Sequence, residues 1–271
     1  MDWIEHDRAR GRNCPWRSLP RARSPLAPRS NRMTLLTPPR RFDPNHPELM
    51  DRPGVDRALL REELLVLENI NRRLAGHRLV LQCLQRILDS TRNDSLNILD
   101  LGTGAADIPR AIVTWARQRQ LSVSILAVDR NPDILHIAGE SCRSFPEIRF
   151  EQHDLLALPY AAESFDVVLC SLALHHFGSE DAVTILRRIH QVARRGYVVN
   201  DLRRNWLAIW LAELLAPALV RSSMFRHDAP QSCRAAFTVR ELQTMAEQAG
   251  LRDFQISRRH GCYRMVLEGR K

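Results

Sequence analysis

The feature that most constrains this chain is the turn Asp100-Leu101-Gly102-Thr103-Gly104-Ala105-Ala106, which follows directly on the run Leu96-Asn97-Ile98-Leu99. This order reads as a buried strand that ends in an acid, a glycine-rich turn, and a helix that opens near Asp107-Ile108-Pro109. The glycines let backbone N–H groups come close to a ligand, and a helix N-terminus favours negative charge there. A turn of this kind belongs to the ligand edge of an open α/β sheet and binds a small molecule.

The fingerprint for nicotinamide dinucleotides is G-x-G-x-x-G. Gly102 and Gly104 fit it, but the third position is Asp107. A carboxylate at the helix mouth repels a pyrophosphate, and so does Asp100, two residues before the first glycine. Both acids suit a ligand that carries an ammonium and no phosphate. At this point the chain resembles the class I S-adenosylmethionine (AdoMet) methyltransferases, whose first motif reads D/E-x-G-x-G-x-G. Ala106 stands where the last glycine belongs, and a tighter turn is expected there.

Further acids follow in register. The run Val123–Val128 reads as a second strand that ends in Asp129, and one carboxylate can accept hydrogen bonds from both hydroxyls of a ribose. A short third strand runs through Phe150–Gln152 to Asp154, and a fourth, Val167–Cys170, leads into Ser171-Leu172-Ala173-Leu174-His175-His176-Phe177. Taken singly, Asp129 could begin a turn and Asp154 could cap the next segment. Together the three strand-end acids resemble the small-molecule branch of the family, including the quinone-biosynthesis methyltransferases, over roughly residues 94–202. The resemblance implies AdoMet as cofactor, held by Asp100, Gly102, Gly104, Asp107, Asp129, Arg130, Asp154, Leu155 and Ser171, with Asp154 on the adenine amine and Leu155 over the ring. It also implies a Rossmann-like, doubly wound α/β sheet of seven strands, mostly parallel, with a C-terminal antiparallel hairpin.

The expected organisation is a disordered Arg/Pro-rich tail over 1–40, a helical cap over 41–92, and a methyltransferase domain over 93–271 with a lid insertion at about 203–236. Residues 56–74 and 77–89 have helical apolar spacing and would lie over the ligand edge. Residues 180–193 read as a helix, 196–201 as a fifth strand, 222–236 as a loop, 238–248 as a helix with a Thr238/Glu241 capping box, and 253–258 with 262–268 as the hairpin. Trp206–Val220 is apolar except for Glu213 and, at 15 residues, too short for a membrane span. A buried helix, a lid and a membrane-surface helix are its candidate roles; apolarity on all faces argues against the third. The substrate wall is expected to include Asn200, Asp201, Trp206 and Trp210.

In methyl transfer the protein mainly supplies proximity and alignment. A phenol or enol acceptor is a better nucleophile when deprotonated, so His176 or His175 is the expected base, with His227 behind them. No metal is expected, because no His/Cys cluster has zinc spacing and no C-x-x-C occurs. The six cysteines read as reduced thiols of a cytoplasmic protein. The formal charge of +9 does not point to nucleic acid: residues 1–32 alone carry +5 of it, and Lys271 is the only lysine. Nor does the Asn/Asp-Pro-Pro-Tyr/Phe motif of amino-directed nucleic-acid enzymes follow the fourth strand. The reading is O- or C-methylation of a small, apolar, hydroxylated or enolic metabolite; the alternatives are an RNA or protein methyltransferase and a non-catalytic AdoMet-binding protein. Neither the oligomeric state nor the natural start, Met1 or Met33, is legible.

Overall fold

The computed structural model describes residues 37–88, 95–259 and 263–271. The expected tail over 1–40 therefore lies almost wholly outside the described residues. Its last residues are held: the Arg40 guanidinium donates to the carbonyls of Ala235 and Phe177 and stacks on Phe237.

Seven strands form one sheet in the order β3-β2-β1-β4-β5-β7-β6. These are β1 (Ser95–Leu101), β2 (Ser122–Asp129), β3 (Ile148–Gln152), β4 (Phe165–Ser171), β5 (Ala193–Leu202), β6 (Phe254–Arg259) and β7 (Arg264–Arg270). The first five pair in parallel, and β7 inserts antiparallel between β5 and β6. Strands β1 and β4 are apolar on both faces, with Leu96, Ile98, Leu99, Leu101 and Val167–Cys170 buried, as central parallel strands covered on both sides must be. One core cluster joins this sheet to α2 (Gly76–Leu88) and α3 (Asp107–Gln118). The other joins it to α5 (Ser179–Val192) and α8 (Val239–Gln248). Chain order reverses between β1 and β4, so a crevice opens at their carboxyl ends.

Helix α1 (Arg57–Arg73) starts at Asp56, whose carboxylate accepts from the backbone N–H groups of Ala58 and Leu59. Ion pairs Arg57–Asp133 and Arg61–Glu140 tie it to α4 (Pro132–Ser141), and Glu68–Arg110 ties it to α3. Beyond β5 come α6 (Trp206–Leu219) and α7 (Ser223–Ala235).

The expected loop over 222–236 is thus a helix. Ser222 caps it, accepting from the N–H of Phe225, and its buried stripe is Met224, Asp228, Ser232 and Ala235. Two of those four residues are polar and Pro230 sits inside, so no apolar period marks the helix in the sequence. Among the described residues no helix is long and apolar enough to cross a membrane.

Candidate active site

The turn after β1 is shaped by its backbone. Gly102 has φ +68°, and a Cβ there would lie 2.6 Å from the Cβ of Ala173. Gly104 has φ +53° and its nearest neighbour is Leu64 at 3.9 Å, so the missing side chain leaves open space. Ala106 also takes the left-handed conformation, with φ +53°, and its methyl is fully buried. This is a backbone conformation that glycine takes more readily than alanine.

Above this turn lies a cavity of about 1170 Å³. Its floor is the carboxyl edge of β1, β2 and β4; α1, α6 and α7 line its sides. Asp129 closes the β2 side. One carboxylate oxygen accepts from the Gly104 N–H at 3.2 Å and the other from the Asn131 N–H at 3.1 Å. Each oxygen keeps a lone pair for a ligand hydroxyl. Burial raises the Asp129 carboxyl above its ordinary pKa, and the two N–H groups oppose the rise.

Asp100 is fully enclosed, and burial together with Asp107 and Asp129 pushes its carboxyl up to about 7. Burial also works against ionised Asp107, but His77 at 2.6 Å and Asn71 at 3.0 Å hold it below the ordinary carboxylate range. The same Asn71 accepts from the buried Arg264 guanidinium at 2.6 Å, and Nη1 of Arg264 has no hydrogen-bond partner among the described residues.

At the far end, residues Leu174–His176 form a single 3-10 turn after β4. Nδ1 of His175 lies 2.6 Å from Asp201, and Nδ1 of His176 lies 2.7 Å from Asp51. Glu48 stands 3.9 Å from Nε2 of His175. Burial works against a charged His176, but Glu48 and Asp51 overcome it and raise its pKa to about 10. Burial likewise opposes ionised Asp51, yet His176 and Arg130 lower it to about 2.

The segment that brings Glu48 and Asp51 here is held from α7. Asp228 accepts from the N–H groups of Leu49 and Met50, and Ser232 donates to Glu48 at 2.6 Å. Burial pushes the Glu63 carboxyl, which accepts from Ser222, up to about 7.

The expected site residues divide. Asp100, Gly102, Gly104, Asp107, Asp129, Arg130, Leu155, Ser171, His175 and His176 line the cavity. Asp154 does not: it is exposed and spends Oδ1 on the N–H of Leu156 as the cap of a 3-10 turn. Arg130 is paired with Asp51. Asn200 is completely buried with both side-chain polar atoms unpartnered, and Asp201 sits behind His175; neither forms the wall. Trp206 and Trp210 point outward, each 56% exposed, while Leu207, Ala208, Leu211 and Ala212 face the cavity. His227 lies outside it, hydrogen-bonded to Asp228.

Sequence reading missed Glu48, Asp51, Glu63, Asp228 and Arg264. Glu48 and Asp51 sit in a proline-rich stretch with no apolar period, and their partners come from residues far along the chain.

These groups fit the expected cofactor. Unpartnered Nη1 of Arg264 and Oγ of Ser171 border the cavity, as do the open cradle at Gly104 and the acids that face it. A cation with ribose hydroxyls suits this lining better than a diphosphate does.

Comparison with known proteins agrees. Residues 98–196 match a family described as a methyltransferase domain. An uncharacterised methyltransferase-like protein of Schizosaccharomyces pombe is 31% identical over 135 residues, covering 49% of this chain and 47% of that one. A demethylmenaquinone methyltransferase of Deinococcus radiodurans is 33% identical over 81 residues, 30% of this chain and 32% of that one. The matches thus span less than half of these curated relatives. Among solved structures, a SAM-dependent methyltransferase from Aquifex aeolicus superposes with a TM-score of 0.56 at 14% identity, covering 80% of this chain and all but 1% of that one (99%). The turn, the strand order and the family match lead to one assignment: residues 98–196 are a methyltransferase domain, on the fold of the S-adenosylmethionine-dependent methyltransferases.

Proposed function

We propose that this protein transfers a methyl group from S-adenosylmethionine to a small, apolar acceptor that presents a hydroxyl or an enol. The observation that carries this reading is the single cavity that runs from the Gly102–Gly104 turn to His175 and His176. Bound AdoMet supplies a methyl already activated by a sulfonium, so the protein has to hold, align and exclude water.

Asp129 would accept the ribose hydroxyls, with Leu155 on the adenine side. Asp100 would take the ammonium and Arg264 the carboxylate, each a buried group whose charge needs a partner. Ser171 Oγ is a further donor at the floor. Leu67, Leu207, Leu211 and Phe225 give the acceptor apolar walls. Its reacting oxygen or enol would face the Glu48–His175–His176 end, where its proton leaves. The demethylmenaquinone methyltransferase likeness supports an apolar acceptor, and the acidic lining disfavours a nucleic-acid chain.

The test is transfer of radiolabelled methyl from AdoMet into a metabolite extract, followed by mass identification of the product. Label in a small organic-soluble product is expected. Label only in RNA or protein, or none while AdoMet binds, would contradict the reading.

A further inference from the structure

Glu48, His175 and His176 each contribute one donor atom, and the three atoms lie within 4.8 Å of one another. The cluster is screened from water: Glu48 is 6% and His175 3% exposed, with His176 at its edge. Each histidine has a carboxylate behind it, Asp201 at 2.6 Å and Asp51 at 2.7 Å, both on Nδ1. A carboxylate on one ring nitrogen turns the ring and leaves Nε2 as the nitrogen that a cation can take by displacing its proton. Metal-binding histidines are held in this way.

An unpartnered carboxylate oxygen points in the same direction. Glu48 and Asp201 flank His175, Asp51 holds His176 and also pairs with Arg130, and Oδ2 of Asp201 is buried with no hydrogen-bond partner among the described residues. A buried carboxylate oxygen without a partner, next to two imidazoles and Glu48, suits a bound cation.

We propose that Glu48, His175 and His176 form a binding site for one divalent transition-metal ion at the acceptor end of the cavity. Two imidazoles and one carboxylate suit zinc, iron(II), manganese or nickel better than magnesium or calcium, and this donor set leaves coordination positions open. Sequence spacing conceals the site because Glu48 and the histidine pair are far apart in the chain.

The role of the ion rests on the reading that the acceptor's oxygen faces this end; its binding does not. An open position there would take a hydroxyl or enol oxygen as ligand and lower its pKa, as a bound metal lowers that of water. The proton passes to a water molecule held in the cavity. The freed electron pair then forms the bond to the methyl carbon, while the carbon–sulfur pair goes to sulfur. His175 and His176 act in this scheme as ligands, and Asp201 and Asp51 as positioning residues.

The experiment uses the full chain, without AdoMet or acceptor, and cobalt(II) alone as the probe. Titration followed by desalting and elemental analysis should find one equivalent retained, with visible d–d bands of an ordered site. Glu48→Gln and His175→Ala should each weaken cobalt binding by at least tenfold. Asp201→Asn should weaken it by roughly 10–100-fold through loss of its hold on His175. AdoMet titration of the same variants shows that they are folded, and the labelled-methyl assay reports separately on methyl transfer. No retained cobalt in the parent protein, or equal retention in Glu48→Gln and His175→Ala, would overturn the site and leave His175–Asp201 as a direct proton acceptor.

Discussion

The two walls of the cavity are built on different principles. The sheet edge is made by strand ends, where backbone pairing to neighbouring strands fixes each side chain. Asp100, Asp129 and Ser171 are placed by the registers Asp100↔Ala127, Asp129↔Gln152 and Ser171↔Asn200. The opposite wall, residues 38–53 with α6 and α7, is made of segments that pair with nothing regular. Polar side chains hold it together: Asp228 on the 49–51 turn, Ser232 on Glu48, Ser222 on Glu63, and Arg40 on the carbonyls of Phe177 and Ala235. Carboxylates on the sheet edge are therefore free to serve the ligand, while those on the covering wall serve the fold as well.

The sharpest break of this contrast comes at the turn itself. Gly102→Val forces a side chain onto a backbone at φ +68° and against Ala173. It should cost about 2–4 kcal/mol of stability and abolish measurable AdoMet binding. Thermal melting and calorimetry check both; a valine variant that binds normally would show the turn to be dispensable.

Two aspartate substitutions should then separate the walls. Asp129→Ala should weaken AdoMet by about 1.5–3 kcal/mol while the ligand-free melting temperature hardly moves. Asp228→Ala should do the reverse. It leaves the N–H groups of Leu49 and Met50 without their acceptor and should lower stability by about 1–3 kcal/mol, with a smaller effect on AdoMet. If both variants change the same observable, the division between ligand-serving and fold-serving acids fails.

The same contrast explains what could be read from the chain. Strand-end acids were legible because a strand that ends at an open edge places its last side chain in one known location. Leu96–Leu101 and Val123–Asp129 needed only apolar pattern and glycine to be positioned. The Thr238/Glu241 capping box and the C-terminal hairpin were legible for a similar, local reason. At Asp154 the sequence left two readings, and the structure shows the acid capping the turn that follows. Helix α7 was hidden by its polar buried stripe. The orientation of α6 was hidden by the opposite fault: apolar residues on every side give no direction, and the tryptophans that seemed fit for the cavity face outward. Glu48 and Asp51 were out of reach, since only tertiary contacts with α7 and the histidines give them a place.

The smallest expected effect follows from that orientation. Trp210→Ala removes a ring from the outer face of α6 and should change stability and AdoMet affinity by no more than about 0.5 kcal/mol. A large rise in acceptor KM would mean that α6 turns its other face inward during turnover.

The central claim is that the sheet edge holds a cationic, phosphate-free cofactor, and Asp100 tests it most directly. Burial beside Asp107 and Asp129 pushes the Asp100 carboxyl up to about 7 in the free protein, so its ionisation is costly below neutral pH. An ammonium beside it favours the ionised form, lowers its pKa and makes binding release a proton. Affinity should then rise with pH up to about 7 and level off above it, by as much as tenfold per pH unit on the acid side. Calorimetric titration with AdoMet and with NAD between about pH 5.5 and 7.5, in buffers of different ionisation enthalpy, measures both affinity and proton release. The account predicts AdoMet binding that strengthens through this range with proton release, flattened in Asp100→Asn, and no binding of NAD. Tight NAD binding with no response to AdoMet would contradict it.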